Sequence, residues 1–240
     1  MGLCNITNIF QEKMSELFFV LDTVRLYIDD LLHVTKGSCT EHLTVLEEMF
    51  TRTQKAGIKV NTRKSYFGAQ KCDYLGYHVT RDGVMTIPKK VEAIQGLTVP
   101  KTRKQLRQFI GMINFYRDMW QERSGLLAPL AALSSKNFKY DWKDEHQKCF
   151  DAIKRVIGRE LLLAYPDFNA AFEIHTDASK LQIGAVISQK GKPITFYSLN
   201  MNSAQQNYTT TEKELLSVVA TLKYFRNILL GHQITVYTDN

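Results

Sequence analysis

The order of apolar patterns in the last third of the chain constrains the fold most strongly. After Pro166, three strand candidates follow one another at short intervals: Phe172–Thr176, Gly184–Gln189 and Pro193–Ser198. A long helical pattern from about Thr211 to Leu229 and a last β-prone run at Ile234–Tyr237 complete the series. Short β-prone runs and a long 3.6-residue period predict a β-β-β-α-β domain, in which one helix covers a small sheet.

The N-terminal part alternates between helical and strand-like patterns. Apolar residues recur at three- and four-residue steps from Asn5 to Leu21, which predicts an amphipathic helix. Two β-prone runs, Val24–Ile28 and Leu31–Thr35, flank Asp29-Asp30 and predict a hairpin with the two aspartates as its connection. Helical spacing returns from Glu41 to Lys55 and ends before Gly57.

The middle of the chain changes from short β-like runs to helices. The β-like runs are Tyr66–Gly68 and Tyr74–Val79, with a turn at Arg81–Gly83. Pro88 begins a predicted helix that extends to Ile94. Thr102 is the N-cap candidate of a basic amphipathic helix that extends to Trp120. Helical patterns continue through Ser124–Leu133 and Asp144–Gly158.

Charge is concentrated in this helical part. Residues 101–160 contain thirteen Lys and Arg against seven Asp and Glu, so they carry +6 of the net charge of +7. A basic stretch beside more neutral ends is typical of a polyanion-binding surface. A solvated helix face explains the same charges equally well.

Composition excludes several classes of protein. No apolar run approaches the roughly 20 residues of a membrane span, and the N-terminus has no secretory signal pattern. We therefore expect a soluble, intracellular protein. The four cysteines are scattered without a C-x-x-C pair, which predicts neither a zinc knuckle nor a disulfide scaffold. A metal ion would be held by carboxylates, which favour Mg²⁺ or Mn²⁺.

Two sets of carboxylates have the spacing of metal sites. Asp29 and Asp30 form a hard-oxygen pair at a predicted hairpin tip, although an ordinary Asp-rich turn has the same residues. In the C-terminal domain, Asp177 ends the first strand, Asp239 follows the last strand, and Glu214 lies near the start of the long helix. Three acids converging in a β-β-β-α-β frame would form a two-metal phosphodiester hydrolysis site.

Further motifs surround the aspartate pair in a fixed order. Gly2-Leu3-Cys4-Asn5 leads into Phe10-Gln11 upstream, and downstream lie Gly57–Asn61 with Lys64, Tyr74-Leu75-Gly76-Tyr77 and Phe109–Arg117. In this order and spacing, the chain resembles the reverse transcriptase of gypsy-type long-terminal-repeat retrotransposons. The resemblance covers essentially the whole chain and extends to the attached ribonuclease H domain.

The resemblance implies roles for the residues of the polymerase part. Asp29 and Asp30 match the catalytic pair of the palm, and Tyr27 would sit beneath the primer end. Residues 2–11 match the start of the helix that lines the nucleotide and template pocket. Lys64, with Lys59 as a competing candidate, would lie near the incoming triphosphate. The primer-gripping hairpin is matched by Leu75, Gly76 and Tyr77. A packing role is the alternative for each of these residues except the aspartates.

The helix after Pro100 resembles the thumb, which follows the backbone of the template–primer duplex. Lys101, Arg103, Lys104 and Arg107 crowd its first two turns, where they could neutralise phosphates without reading sequence. In the ribonuclease H part, the resemblance assigns Asp177, Glu214 and Asp239 to the active site that cuts RNA paired with DNA. Glu212 is the neighbouring acid, and we expect it to support the helix start.

Three departures from the family pattern matter. First, one palm aspartate of the family would precede residue 1. Second, the family's ribonuclease H domain has a further strand, helices and a fourth acid, which would follow residue 240. Third, Ile6-Thr7 stands where the family has a small residue followed by proline. Both active sites are therefore expected to be incomplete and inactive in this chain alone. An unpaired last strand also predicts poor solubility and fast amide exchange at Ile234–Tyr237.

The predicted chain is thus multidomain, α+β and α/β. It comprises a partial palm (1–87), a helical thumb or connection (88–137) and a truncated ribonuclease H-like domain (138–240). The expected function is a segment of an RNA-directed DNA polymerase with ribonuclease H. Its expected partners are the RNA template, DNA primer, RNA–DNA hybrid, dNTPs and the rest of the Pol polyprotein, in cytoplasmic virus-like particles. The alternative is a non-catalytic nucleic-acid-binding remnant of a degraded element.

Overall fold

The computed structural model describes residues 5–136, 139–159 and 162–238. The chain forms two compact units, residues 1–69 and residues 70–240. The sequence-predicted boundaries at residues 87 and 137 remain predictions. Within the described ranges, no helix is both long enough and apolar enough to cross a membrane.

The first unit is a helix–hairpin–helix arrangement. Its elements are α1 (Ile6–Phe18), β1 (Val24–Tyr27), β2 (Asp30–His33), α2 (Cys39–Lys55) and a 3₁₀ turn at Thr62–Lys64. Ser38 and Glu41 form a capping box at the start of α2 by exchanging side-chain-to-backbone hydrogen bonds. A small core of Met14, Phe18, Val24 and Met49 holds the two helices and the hairpin together.

Two sequence predictions in this unit need correction. The hairpin is confirmed, but β1 pairs with β2 as far as Tyr27 and Asp30, so its two-residue connection is Ile28-Asp29 and not Asp29-Asp30. Tyr66–Gly68 forms no strand, and Tyr66 is 82% exposed. Although the aromatic residues of that run favour a strand, no neighbouring strand in the described structure pairs with it.

The second unit begins with an antiparallel sheet and a group of helices. The strands β3 (Cys72–Tyr74), β4 (Tyr77–Val79), β5 (Val84–Thr86) and β6 (Leu162–Leu163) pair in that order. The helices are α3 (Pro88–Gln95), α4 (Arg103–Phe115), α5 (Arg123–Ser134) and α6 (Asp144–Ile157). Their shared core contains Leu106, Phe109, Ile113, Leu130 and Ile153, which are at most 2% exposed.

Helix α4 is shorter than the sequence predicted. Thr102 is its N-cap, because the Thr102 hydroxyl accepts a hydrogen bond from the Gln105 N–H at 3.3 Å. The helix ends at Phe115, and a 3₁₀ turn follows at Arg117–Met119, so the prediction of a helix through Trp120 was wrong. The Tyr116 N–H bonds to the Ile113 carbonyl three residues back, which tightens and ends the helix.

The second unit ends with the predicted β-β-β-α-β order. The strands are β7 (Phe172–Ala178), β8 (Gln182–Gln189), β9 (Lys192–Asn200) and β10 (Ile234–Tyr237), and the helices are α7 (Ser203–Gln206), α8 (Thr210–Tyr224) and α9 (Arg226–Leu229). The sheet order is β10-β7-β8-β9, with β10 parallel to β7. The prediction of one helix over 211–229 was wrong because the chain breaks at Phe225, a buried side chain of the domain core.

Candidate functional site

The β1–β2 hairpin carries the first pair of candidate carboxylates. Tyr27 pairs with Asp30, and Ile28 and Asp29 form the connection between the strands. Tyr27, Asp29 and Asp30 are exposed, whereas Ile28 is half-buried. Ile28 has φ 53°, in the left-handed region that β-branched residues rarely adopt. The structure therefore brings two accessible carboxylates together on adjacent residues at a strained turn.

Helix α1 contacts this turn through one side chain. The Gln11 Oε1 atom accepts a hydrogen bond from the Ile28 N–H at 2.6 Å, and Gln11 Nε2 donates to Ser15 Oγ at 3.2 Å. In the sequence, Gln11 belongs to the Phe10-Gln11 motif, and nothing there predicts its contact with Ile28. No pattern in the sequence marks this contact, since Gln11 and Ile28 are 17 residues apart.

The donor chemistry at the hairpin suits a hard divalent cation, because carboxylate oxygens are the ligands that Mg²⁺ and Mn²⁺ favour. In residues 5–136, 139–159 and 162–238, no group of three or more His, Cys, Asp or Glu side chains is placed to hold a metal ion. Asp29 and Asp30 remain two candidate ligands of such a site. The candidate nucleotide-binding lysines, Lys59 and Lys64, are both exposed, so the structure does not choose between them.

The β3–β4 hairpin contains the predicted primer-gripping residues. Leu75 and Gly76 form its two-residue turn with φ values of 47° and 85°, and Tyr74 pairs with Tyr77. The Tyr77 hydroxyl donates to the Phe115 carbonyl at 3.2 Å. Burial is the main cause that raises the pKa of Tyr77, which keeps this hydroxyl protonated.

The end of α4 packs against the same turn. The Tyr116 hydroxyl donates to the Gly76 carbonyl at 3.3 Å. The Phe115 ring stacks on Tyr77 at 5.2 Å between centroids, with Lys90 Nζ 4.9 Å from the Phe115 ring centre. The sequence contains Phe109–Arg117 as a motif but does not show its direct contact with Gly76.

The basic residues at the start of α4 differ in their surroundings. Lys101 and Lys104 are exposed, and Arg103 is half-buried. The Arg107 guanidinium donates to the Ser134 carbonyl through Nε at 3.1 Å and Nη2 at 2.7 Å. It thereby satisfies the carbonyl of the last residue of α5, a common role for arginine at a helix end. Arg107 is exposed as well, but its guanidinium is bound to this carbonyl, whereas only Arg103 of the set is half-buried.

The ribonuclease H-like part contains the second candidate set. Asp177 lies near the end of β7 and is exposed. His175, two residues earlier on the same strand, stacks on Tyr237 with ring centroids 4.6 Å apart. Glu214 is only 7% exposed and shares the sheet-facing side of α8 with Ser217 and Thr221. Asp239 lies outside the described residues, so convergence of the three acids stays a prediction.

Glu212 has the role at the helix start that the sequence predicted. Thr209 and Glu212 form a capping box, with the Thr209 N–H donating to Glu212 Oε2 at 2.8 Å. The hydrogen bonds from the Thr209 backbone and hydroxyl lower the pKa of Glu212. This carboxylate is therefore committed to capping α8.

Comparison with known families matches both parts of the chain. Residues 1–79 match the reverse transcriptase (RNA-dependent DNA polymerase) family, and residues 142–236 match the RNase H-like domain found in reverse transcriptase. Two relatives from Drosophila melanogaster are Retrovirus-related Pol polyproteins, from transposon 297 (36% identical over 242 residues) and from transposon gypsy (29% over 254 residues). Each covers 100% of this chain, which spans 23% and 24% of their respective lengths.

Solved structures of the foamy viral protease-reverse transcriptase are also similar to this chain. The structure in complex with RNA/DNA hybrid is 25% identical in sequence, with a TM-score of 0.90, and the match covers 100% of this chain and 33% of the foamy viral chain. The structure in complex with dsDNA is 25% identical with a TM-score of 0.91, and the match covers 100% of this chain and 51% of that chain.

Proposed function

Since the chain carries a reverse transcriptase segment and a ribonuclease H-like domain of the retrotransposon Pol type, we propose that it supplies part of the catalytic apparatus of an RNA-directed DNA polymerase with ribonuclease H. The observation that carries this proposal is the pair of exposed carboxylates, Asp29 and Asp30, at the β1–β2 turn. The chain's partners would be an RNA template, a DNA primer, dNTPs and the rest of a Pol polyprotein, in virus-like particles.

Asp29 and Asp30 would hold Mg²⁺ or Mn²⁺ through their carboxylate oxygens. Such a metal ion lowers the pKa of an attacking hydroxyl and neutralises charge on the leaving pyrophosphate. Tyr27 is 53% exposed and precedes the turn, where it can support the primer end. Lys64 or Lys59 would neutralise the triphosphate. In the second domain, Asp177, Glu214 and Asp239 would form the corresponding site for cleavage of RNA paired with DNA.

The nucleic-acid contact would be made by the start of α4 and the β3–β4 hairpin. Lys101 and Lys104 can neutralise phosphates because both side chains are exposed. Leu75, Gly76 and Tyr77 would contact the primer strand. The foamy viral enzyme was solved with an RNA/DNA hybrid and with dsDNA, which supports a duplex as the ligand. Half-buried Arg103 would contribute to the same contact, and Arg107 is predicted to act structurally through its bonds to Ser134.

The metal proposal is tested by titrating the ¹⁵N-labelled chain with Mn²⁺, which broadens amide signals near a bound ion. We expect the signals of residues 27–31 to broaden first, and the Asp29→Asn/Asp30→Asn variant to lose this effect. Glu47→Gln/Glu48→Gln, a pair of adjacent acids on α2, is the matched control. Equal broadening of residues 27–31 in the parent and in the Asp29→Asn/Asp30→Asn variant would reject the site.

The binding proposal is tested by the salt dependence of affinity for duplex DNA and RNA–DNA hybrid. On B-form DNA, each lost phosphate contact reduces the slope of log K against log salt by about 0.9. Lys101→Ala/Lys104→Ala should reduce it by about 1.8. Lys148→Ala, an exposed lysine on α6, should leave the slope unchanged. Arg107→Ala should also leave the slope unchanged and cost about 1 kcal/mol of stability through its lost hydrogen bonds.

A further inference from the structure

The backbone at the tip of the β1–β2 hairpin has an unusual conformation. Ile28 has φ 53° although its branched side chain clashes with the left-handed region. The residue is half-buried and lies directly before Asp29. A non-glycine residue in this region persists only where surrounding contacts hold it, and such residues cluster at functional sites. The contact that holds Ile28 therefore bears on both aspartates.

Gln11 makes that contact from the neighbouring helix. Its Oε1 accepts from the Ile28 N–H at 2.6 Å, and its Nε2 donates to Ser15 Oγ, one helical turn along α1, at 3.2 Å. Because both ends of the amide have partners, its orientation is fixed. Helix α1 is itself anchored by Met14 and Phe18, which pack with Val24 of β1 in the core of the first unit. The hydrogen bond thus joins a packed helix to the turn.

We propose that Gln11 is a positioning residue for the metal-binding pair: it holds Ile28 in the left-handed conformation and so fixes the backbone from which Asp29 and Asp30 project. The inference rests on the proposed metal-binding role of those aspartates. Leucine at position 11 would fill similar space without an acceptor. Glycine at position 28 would adopt the same φ without help, so the turn would no longer depend on Gln11.

The test is a double-mutant cycle on Mn²⁺ affinity, read from the broadening of residues 27–31. Gln11→Leu should weaken Mn²⁺ binding about tenfold and speed hydrogen exchange of the Ile28 amide. In the Ile28→Gly background, the same substitution should change affinity less than about twofold, because coupled residues lose their coupling when one partner is replaced. Gln54→Leu, an exposed glutamine on α2, is the matched control and should change neither quantity.

The outcomes separate the two proposals. No broadening of residues 27–31 in the parent chain would overturn the metal site and, with it, the role of Gln11. Broadening with equal Mn²⁺ affinity in the parent and in Gln11→Leu would overturn the positioning role alone. A tenfold loss that persists in the Ile28→Gly background would also overturn it, because Gln11 would then act other than through the turn. If Gln11→Leu folds poorly, the comparison of Ile28→Gly with Ile28→Gly/Gln11→Leu carries the test, and an affinity loss above about twofold there overturns the inference.

Discussion

The two hairpins at Tyr27–Asp30 and Tyr74–Tyr77 have turns of the same length but different backbone conformation. Each has a two-residue connection whose first residue is left-handed, Ile28 at φ 53° and Leu75 at φ 47°. The second residue differs. It is Gly76 at φ 85° in the second hairpin, whereas Asp29 takes this place in the first, without a positive φ. Type I′ turns need positive φ at both positions and favour glycine at the second.

The anchoring of the two turns differs as well. Two hydroxyl-to-carbonyl hydrogen bonds and a stacked ring hold the Leu75–Gly76 turn against α4. The Ile28–Asp29 turn is held by the hydrogen bond that the Ile28 N–H donates to Gln11 Oε1. The Lys190–Gly191 turn between β8 and β9 follows the glycine pattern, with φ values of 53° and 73°. With a positive φ only at its first residue, the Ile28–Asp29 turn has the type II′ pattern, which favours glycine at the first position, so Ile28 stands where glycine is preferred.

The largest effect is expected from Gly76→Ala. Alanine would be strained at φ 85°, and its Cβ would overlap the Phe115 ring. The combined strain and overpacking should cost about 2–3 kcal/mol of the free energy of unfolding in urea. Gly191→Ala is the matched control, because φ is 73° there but no heavy atom lies within 4 Å of the added carbon. It should cost about 1 kcal/mol. Equal costs at the two positions would show that Phe115 does not constrain the turn.

A smaller effect is expected from Tyr116→Phe, which removes only the hydroxyl that donates to the Gly76 carbonyl. The lost hydrogen bond should cost about 1 kcal/mol and speed amide exchange around Leu75 and Gly76. Tyr208→Phe, at an exposed tyrosine before α8, serves as the control. If exchange at the turn were unchanged in Tyr116→Phe, the contact between α4 and the hairpin would not stabilise it.

Asparagine at the first turn position should change the free energy of unfolding by a smaller amount, and by a different amount in each hairpin. Asn tolerates the left-handed region better than Ile or Leu, so Leu75→Asn should stabilise the chain by about 0.5 kcal/mol. Ile28→Asn should gain less, because half-buried Ile28 also loses apolar contact. Urea midpoints of both variants would measure this difference. A clear loss of stability in Leu75→Asn would mean that the Leu75 side chain, not its backbone, supports that turn.

How far the sequence predicts these features depends on the range of the interactions. The β-β-β-α-β order and the β10 strand at Ile234–Tyr237 follow from local apolar periodicity, and the structure confirms them. The Thr102 N-cap is equally local. The two-residue strand β6 and the end of α4 at Phe115 were missed because they depend on pairing and packing with distant segments.

The candidate sites follow the same rule. The sequence predicts that Asp29 and Asp30 lie at a hairpin tip, since both belong to one local motif, but it misplaces the connection by one residue. It does not predict the Gln11 contact, which spans 17 residues, or the use of Arg107 by Ser134, which spans 27. The sequence does not show which group a basic side chain contacts. The four cations after Pro100 can therefore be distinguished only in the structure, by their burial and hydrogen bonds.

The smallest effect concerns pH, and it should separate the two hairpins most cleanly. His33, at the far end of β2 from the turn, stacks on His42 with ring centroids 4.5 Å apart. Burial is the main cause that lowers the pKa of His33 below its ordinary value of 6.5. Around and below pH 6.5 the unfolded chain therefore binds more protons than the folded chain, so stability is complete above that pH and falls as the pH decreases.

Tyr77 and Tyr116 behave in the opposite sense, because burial raises the pKa of each above its ordinary value of 10. Their contribution to stability is complete below pH 10 and is lost only as the pH rises through their raised pKa values. Lowering the pH from 7.5 to 5.5 should thus speed amide exchange, corrected for its intrinsic pH dependence, in β1 and β2. It should leave β3 and β4 unchanged in the His78→Gln variant, which removes the histidine whose Nδ1 lies 2.6 Å from Asp73 Oδ1 across these strands. His33→Gln should remove the part of this response that comes from His33. Equal responses of both hairpins in the His78→Gln variant would contradict the assignment of the pH dependence to His33.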